Sequence, residues 1–240
     1  MDRRLRILLT TTVLGTVALA APVAHASPPP AALMEKLAAY ATSFERERTQ
    51  ASYDVAGKLE VIDGDNEVSS RKEVVAHVEG NGGDAKVTVV RYVEDGKDKT
   101  AEGVKEAEEN AARRKKRRAS GKEVKLPVRS DQQARYVFDE TERSADGTRV
   151  LLHFAPKNPE DDTVEGSAWV DDASGTVVSA SFQPSKTSIF ISYLHFSVEF
   201  GAQTAVGPAV SKVVVEGEGG IWFFRKHFRA TATPSHYAFE

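Results

Sequence analysis

One stretch of this chain has helical spacing on an apolar stripe, and nearly everything after it alternates. From Ala31 to Gln50, Leu33, Leu37, Tyr40, Ala41 and Phe44 recur at steps of three and four, with Glu35, Lys36, Glu45 and Arg46 elsewhere. That spacing predicts one amphipathic helix with a single buried stripe. From Tyr53 onward about ten segments read as strands. Neighbouring strands lie about 4.8 Å apart, so ten of them make a sheet roughly 48 Å wide. A 20-residue helix is about 30 Å long and 10–12 Å across. One helix cannot cover an apolar face of that width, and soluble proteins rarely leave such a patch bare. The sheet must curl, close or fold over. The expected fold is therefore mainly β, a strongly curved antiparallel sheet or half-barrel with the N-terminal helix on its concave face.

The strand assignments rest on period-2 alternation interrupted by turn residues. Tyr53, Val55, Gly57, Leu59 and Val61 alternate with Asp54, Lys58 and Glu60 up to Asp63-Gly64-Asp65-Asn66. Val68 to Glu79 and Val87 to Val93 continue the pattern across Gly80-Asn81-Gly82-Gly83 and on to Asp95-Gly96, giving an antiparallel meander. Later pairs are expected around Ala145-Asp146-Gly147 and Asp172-Ala173-Ser174-Gly175, and a last hairpin across Gly217-Glu218-Gly219-Gly220. The meander is broken by a charged insertion over residues 98–130. Within it, Glu106, Glu108 and Glu109 precede six consecutive bases, Arg113, Arg114, Lys115, Lys116, Arg117 and Arg118. Acids before bases suit a helix dipole. With almost no apolar stripe, the segment is expected to be a solvated helix or a loose excursion from the sheet.

The chain has 240 residues and no Cys, which excludes disulfide scaffolds, thiolate metal sites and cysteine nucleophiles. Three Arg against one Asp in residues 1–6, an apolar run from Ile7 to Val23, and Ala24-His25-Ala26 form the three parts of a secretory signal peptide. Cleavage is expected after Ala26, leaving residues 27–240 as a single β-rich domain in the periplasm, without a lipid anchor. The formal charge is −3, and removing that segment makes it more acidic. Export and an acidic balance argue against nucleic acid as a partner, and a monomer is expected.

Sites of chemistry are scarce. His77, His153, His195, His227 and His236 stand singly, without metal-ligand spacing or an HExxH motif. No serine sits in a Gly-x-Ser-x-Gly elbow. A metal centre could form only by assembling His153, His195 and His227 in space. No catalytic residue, metal or cofactor is expected. The aromatic residues are more suggestive. Phe154, Trp169, Phe190, Leu194, Phe196, Phe200, Trp222, Phe224 and Phe228 lie on the later strands. They form either a filled sheet core or the wall of a lipid-sized cavity.

Three short runs carry a resemblance: Asp95-Gly96-Lys97 closing a strand, Gly166-Ser167-Ala168-Trp169-Val170-Asp171, and Ser174-Gly175-Thr176-Val177-Val178 after it. With a leader, then one helix, then a long meander, the chain resembles the LolA-like group of periplasmic proteins. The resemblance implies a half-barrel that carries or senses a lipid or an acylated protein. Two functions follow as expectations. One is a periplasmic carrier holding a lipid or acylated (lipoprotein) partner in a concave apolar cavity. The other is a non-catalytic cell-envelope interaction or sensor protein with a solid core, whose residues 113–118 contact an anionic surface or an acidic partner.

Overall fold

The helical stripe and the alternating runs become the elements they predict. In the computed structural model, which describes residues 26–63, 67–80, 82, 85–120, 124–187, 191–204, 207–221 and 224–239, helix α1 spans Ala31–Gln50. Strands β1 (Ala51–Ile62), β2 (Val68–Glu79), β3 (Lys86–Glu94) and β4 (Lys97–Asp98) follow. Helix α2 (Thr100–Ala119) comes next, then a short 3-10 turn at Gln133–Arg135. The rest is strand: β5 (Tyr136–Arg143), β6 (Arg149–Pro156), β7 (Val164–Asp171), β8 (Val177–Pro184), β9 (Ile191–Glu199), β10 (Ala202–Thr204), β11 (Gly207–Ala209), β12 (Lys212–Ile221) and β13 (Phe224–Phe239). The proposed leader falls almost entirely outside the described residues, as do most of the Asp63–Asn66 turn and part of the Gly80–Gly83 turn.

Eleven strands form one antiparallel sheet in the order β4-β3-β2-β1-β13-β12-β9-β8-β7-β6-β5, while β10 and β11 form a separate ribbon. The last strand returns to lie beside the first, pairing Ala51 with Phe239 and Ile62 with His227. The sheet is curved and open, since β4 and β5 end it unpaired to each other. Register shifts interrupt several ladders, among them β1–β13, β2–β3 and β7–β8. Such bulges bend the strand and increase its twist, which is how a long meander curls without closing.

Alternation sorts the two faces. On the convex face a row of side chains alternates in charge from strand to strand: Arg71 opposite Glu60, Glu60 opposite Arg229, Arg229 opposite Glu216. Arg71 meets Glu60 at 3.0 Å and Arg229 meets Glu216 at 2.5 Å. A one-residue slip would put these charges on the apolar face, so the row reinforces the register. The concave face carries the core. Leu33 and Leu37 of α1 are buried against Tyr136, Val150, Leu152, Phe154, Val164, Ala168, Val170 and Val177. Helix α1 therefore covers the β5–β8 end of the sheet and leaves the middle strands uncovered.

One sequence expectation changes. The run Gly217-Glu218-Gly219-Gly220 is not a turn. Strand β12 continues through it to Ile221, with Gly217 opposite Phe228 and Gly220 opposite Arg225. A Cβ at Gly217 would lie 2.4 Å from the Phe228 ring, so the glycine makes room for an aromatic on the neighbouring strand. Of the two forms expected for the charged part of the insertion, a solvated helix or a loose excursion, the structure has the helix, Thr100–Ala119. Its first half packs on β3, where Gly103 is buried and a Cβ there would meet Tyr92 at 2.6 Å.

Candidate functional site

Among the described residues, three apolar cavities lie side by side on the concave face. The first, about 290 Å³, is walled by Tyr40 and Phe44 of α1, Phe154, Phe182 and Phe200, and the segment Val124 to Val128. The second, about 260 Å³, is walled by Phe44, Tyr53, Val55, Ala232 and Tyr237 among others. The third, also about 260 Å³, lies over Val55, Leu59, Val74, Val215 and Ala230. Phe44, Val210 and Val213 wall both the first and second, and Val55, Val213 and Ala232 both the second and third. Val213, on β12, touches all three. Sharing walls, the cavities lie in a row along the trough of the curved sheet, from β8 across β9, β12, β13 and β1 to β2.

Each stretch of wall has a local cause. The sheet contributes every second residue of each strand, so Val55, Val74, Val213 and Ala232 come from one face of an alternating pattern. Helix α1 contributes Tyr40 and Phe44, its stripe beyond Leu37. Their rings stand 6.0 Å apart, and Phe200 meets Phe44 edge-on at 5.6 Å. At the far side Tyr53 and Tyr237 pack at 5.0 Å, and the Tyr237 hydroxyl donates to the Val210 carbonyl at 2.8 Å. Burial raises the Tyr237 phenol above its ordinary value, so it stays neutral and adds no charge to the wall. Polar groups collect at the β2 end, where Lys58, Lys72 and Glu73 border the trough. Lys72 is engaged there with Glu94 at 3.3 Å.

The remaining wall comes from the insertion. Beyond α2, Val124, Leu126, Pro127 and Val128 close one side of the first cavity. Two sets of contacts hold this strap to α1. Gln133 Nε2 donates to the carbonyls of Met34 (3.0 Å) and Val128 (2.9 Å). Arg129 bridges Glu45 of α1 and Asp131, donating from Nε to Asp131 Oδ1 at 2.8 Å. The Arg129 guanidinium is the main reason the Asp131 carboxyl is lowered to about 2. A folded-state value below the ordinary 3.8 contributes stability that is present above about pH 4 and lost as the pH falls through about 2. The Asp131 side chain is 48% exposed, and screening keeps the effect at or below about 1 kcal/mol. Asp131→Asn should therefore melt up to a few degrees below the native protein near neutrality. The gap should narrow as the pH approaches 2, and a gap unchanged there would refute the assignment.

The aromatic residues singled out in the sequence divide. Phe154 and Phe200 line the first cavity directly. Leu194 and Phe196 share the trough face, standing opposite Gly217 and Val215, and the Phe196 ring stacks on the wall residue Phe182 at 5.2 Å. Phe228 lies over Gly217 on the same face. Trp169 does not join them. Its neighbours Ala168 and Val170 are buried in the concave core, so alternation turns Trp169 to the convex face beside Leu151 and Ser179. Phe190, Trp222 and the Phe224 side chain lie outside the described residues. Arg113, Arg114, Lys115, Lys116, Arg117 and Arg118 all sit on the exposed second half of α2. His153, His195 and His227 are not brought together, and among the described residues no group of His, Asp and Glu is arranged to hold a metal. The sequence reading missed Val55, Val213, Ala232 and Tyr237, and also the strap. The first four were visible as alternating apolar positions, whereas nothing in the run Val124 to Val128 signals that it returns to the sheet.

No protein-family model matches the chain, and no curated protein sequence matches it. Solved structures do. A DUF1329 family protein from Desulfovibrio piger aligns over 89% of this chain and 94% of its own, at 12% identity and a TM-score of 0.42. A LolA superfamily protein from Nitrosomonas europaea aligns over 87% and 92%, at 9% identity and a TM-score of 0.39. A putative outer membrane lipoprotein-sorting protein domain from Vibrio parahaemolyticus is similar too, over 86% and 92%, at 9% identity and a TM-score of 0.37. What this chain does has to be argued from its own trough.

Proposed function

We propose that the protein is an exported, periplasmic carrier that holds a long apolar chain, such as the acyl chain of a lipid or an acylated protein, in the concave trough. The observation that carries this reading is that three apolar cavities adjoin in one row, with Val213 in the wall of each. Five strand-to-strand steps separate β8 from β2, about 24 Å at 4.8 Å each. A slot that long with apolar walls suits an extended hydrocarbon better than a compact metabolite, which would be fixed by convergent polar groups. Lys58, Lys72 and Glu73 at the β2 end offer one place for a head group, and Lys125 of the strap offers another at the first cavity. A hollow concave face also favours carriage over the sensor reading, which requires a solid core.

The test is uptake. Protein purified from a bacterial periplasm should carry extra mass in native mass spectrometry that organic extraction releases as acyl lipid. The delipidated protein should then bind a fluorescent fatty-acid probe at one site. A bare mass together with no probe binding would sink the carrier reading.

A further inference from the structure

The second half of α2 has no place in the trough, yet it is the most concentrated charge in the molecule. Every residue from Glu108 to Ser120 is exposed, and the helix touches the sheet only through its first half, at Gly103 over Tyr92. Lys116, Arg117 and Arg118 complement the carbonyls of the last turn, but the dipole gives no reason for Arg113, Arg114 and Lys115 before them. Arg113 meets Glu109 at 3.3 Å in an exposed pair, which is worth little in water. Six consecutive residues make about one and two-thirds turns of helix, so their charges point to every side.

Both ends of this segment are anchored on the concave side. Tyr92, under Gly103, stands opposite the trough residue Val74. At the other end Val124 is part of the first cavity's wall. Five residue steps join Ala119 to Val124, so the basic end lies within about 18 Å of that wall. The helix therefore leaves the sheet at β3 on the concave side, and its basic end lies within reach of the first cavity's wall.

We propose that this basic half docks the protein on an anionic phospholipid surface and brings the trough mouth to the head groups. A specific protein partner would read one helix face, with bases spaced three and four apart. Charges on all sides match instead a broad, laterally mobile array of negative groups, some of which meet them in any roll of the helix. The segment lacks the apolar face that an inserting amphipathic helix needs, having only Ala111, Ala112 and Ala119. Docking is therefore electrostatic and superficial. The docking claim stands on the charge and its exposure, and only the purpose of docking, exchange of an acyl chain, rests on the carrier reading.

The experiment is flotation of the purified protein with vesicles of phosphatidylcholine, alone or with about one third phosphatidylglycerol. The protein should float with the anionic vesicles only, and should be released near 1 M salt, where the screening length falls to about 3 Å. Replacing all six bases with Gln keeps the helix propensity and alters only exposed side chains. That variant should bind anionic vesicles about a hundredfold more weakly, corresponding to two or three bases engaged at a time. Equal flotation with neutral vesicles, or flotation indifferent to salt or to the six substitutions, would overturn the proposal. So would failure to float combined with retention on immobilised polyglutamate, which would assign the segment to an acidic protein. Probe uptake is measured separately, so flotation without uptake strikes the carrier reading alone, and uptake without flotation strikes docking alone.

Discussion

Val213→Glu is expected to weaken binding of an acyl probe at least a hundredfold while leaving the fold in place. Val213 is the residue at which all three cavities meet. The trough is open, so a carboxylate there keeps part of its water while the site is empty. A bound hydrocarbon would strip that water and bury the charge without a partner, at a cost of several kcal/mol. A hundredfold loss needs only about 2.7 kcal/mol of this. Strand preference accounts for about 1 kcal/mol on exchanging Val for Glu, and Val213 is only partly buried, so the fold survives the exchange. Val213→Leu keeps the wall apolar and should bind within a few-fold of the native protein. Titration of the three proteins with a fluorescent fatty acid decides the matter. A Glu variant that binds within threefold of native would mean that the chain does not lie along this trough.

Leu37→Ala should have the opposite profile, a large loss of stability that is not aimed at the ligand. Leu37 has no exposed surface and packs on the buried residues of β5–β8. One turn of helix on either side of it offers Leu33 and Ala41, both also buried. The site cannot collapse readily, because α1 is pinned beside it. Lys36 donates from Nζ to the Asp172 carbonyl at 3.2 Å, and the β7–β8 turn at Gly175 abuts the helix backbone. The expected cost is about 3 kcal/mol, or roughly 10 °C in melting temperature for a chain of this size. A shift under 2 or 3 °C would mean that α1 contributes little to holding the sheet.

Much of this was legible along the chain because its causes are local. The period of three and four in Ala31–Gln50 marks α1 with the same bounds that the structure gives it. The Ala145–Gly147 and Asp172–Gly175 turns fall between paired strands as their residue types require. The wall of the site was only half legible. Phe154 and Phe200 were found because large aromatics draw attention, while Val55, Val213 and Ala232 were passed over as ordinary strand valines and alanines. Trp169 was placed on the wrong face because its size outweighed its parity. Ala168 and Val170 on either side had already fixed that parity. The glycine run at 217–220 shows the same limit. Glycine marks a turn and a close approach equally well, and only Phe228 on the neighbouring strand separates the two.

The sequence by itself determined the elements, their alternation and the need to curl. One helix set against ten or more strands leaves too much apolar surface for any flat arrangement. Tertiary structure decided where the hollow lies. The helix covers the β5–β8 end rather than the centre, the last strand returns beside the first, and a strap more than 70 residues beyond α1 in sequence comes back to wall the cavity beside Phe44. Those outcomes depend on contacts between residues far apart in the chain. Local composition carries no record of such contacts, because the free energy that selects them is the burial of one distant apolar face against another.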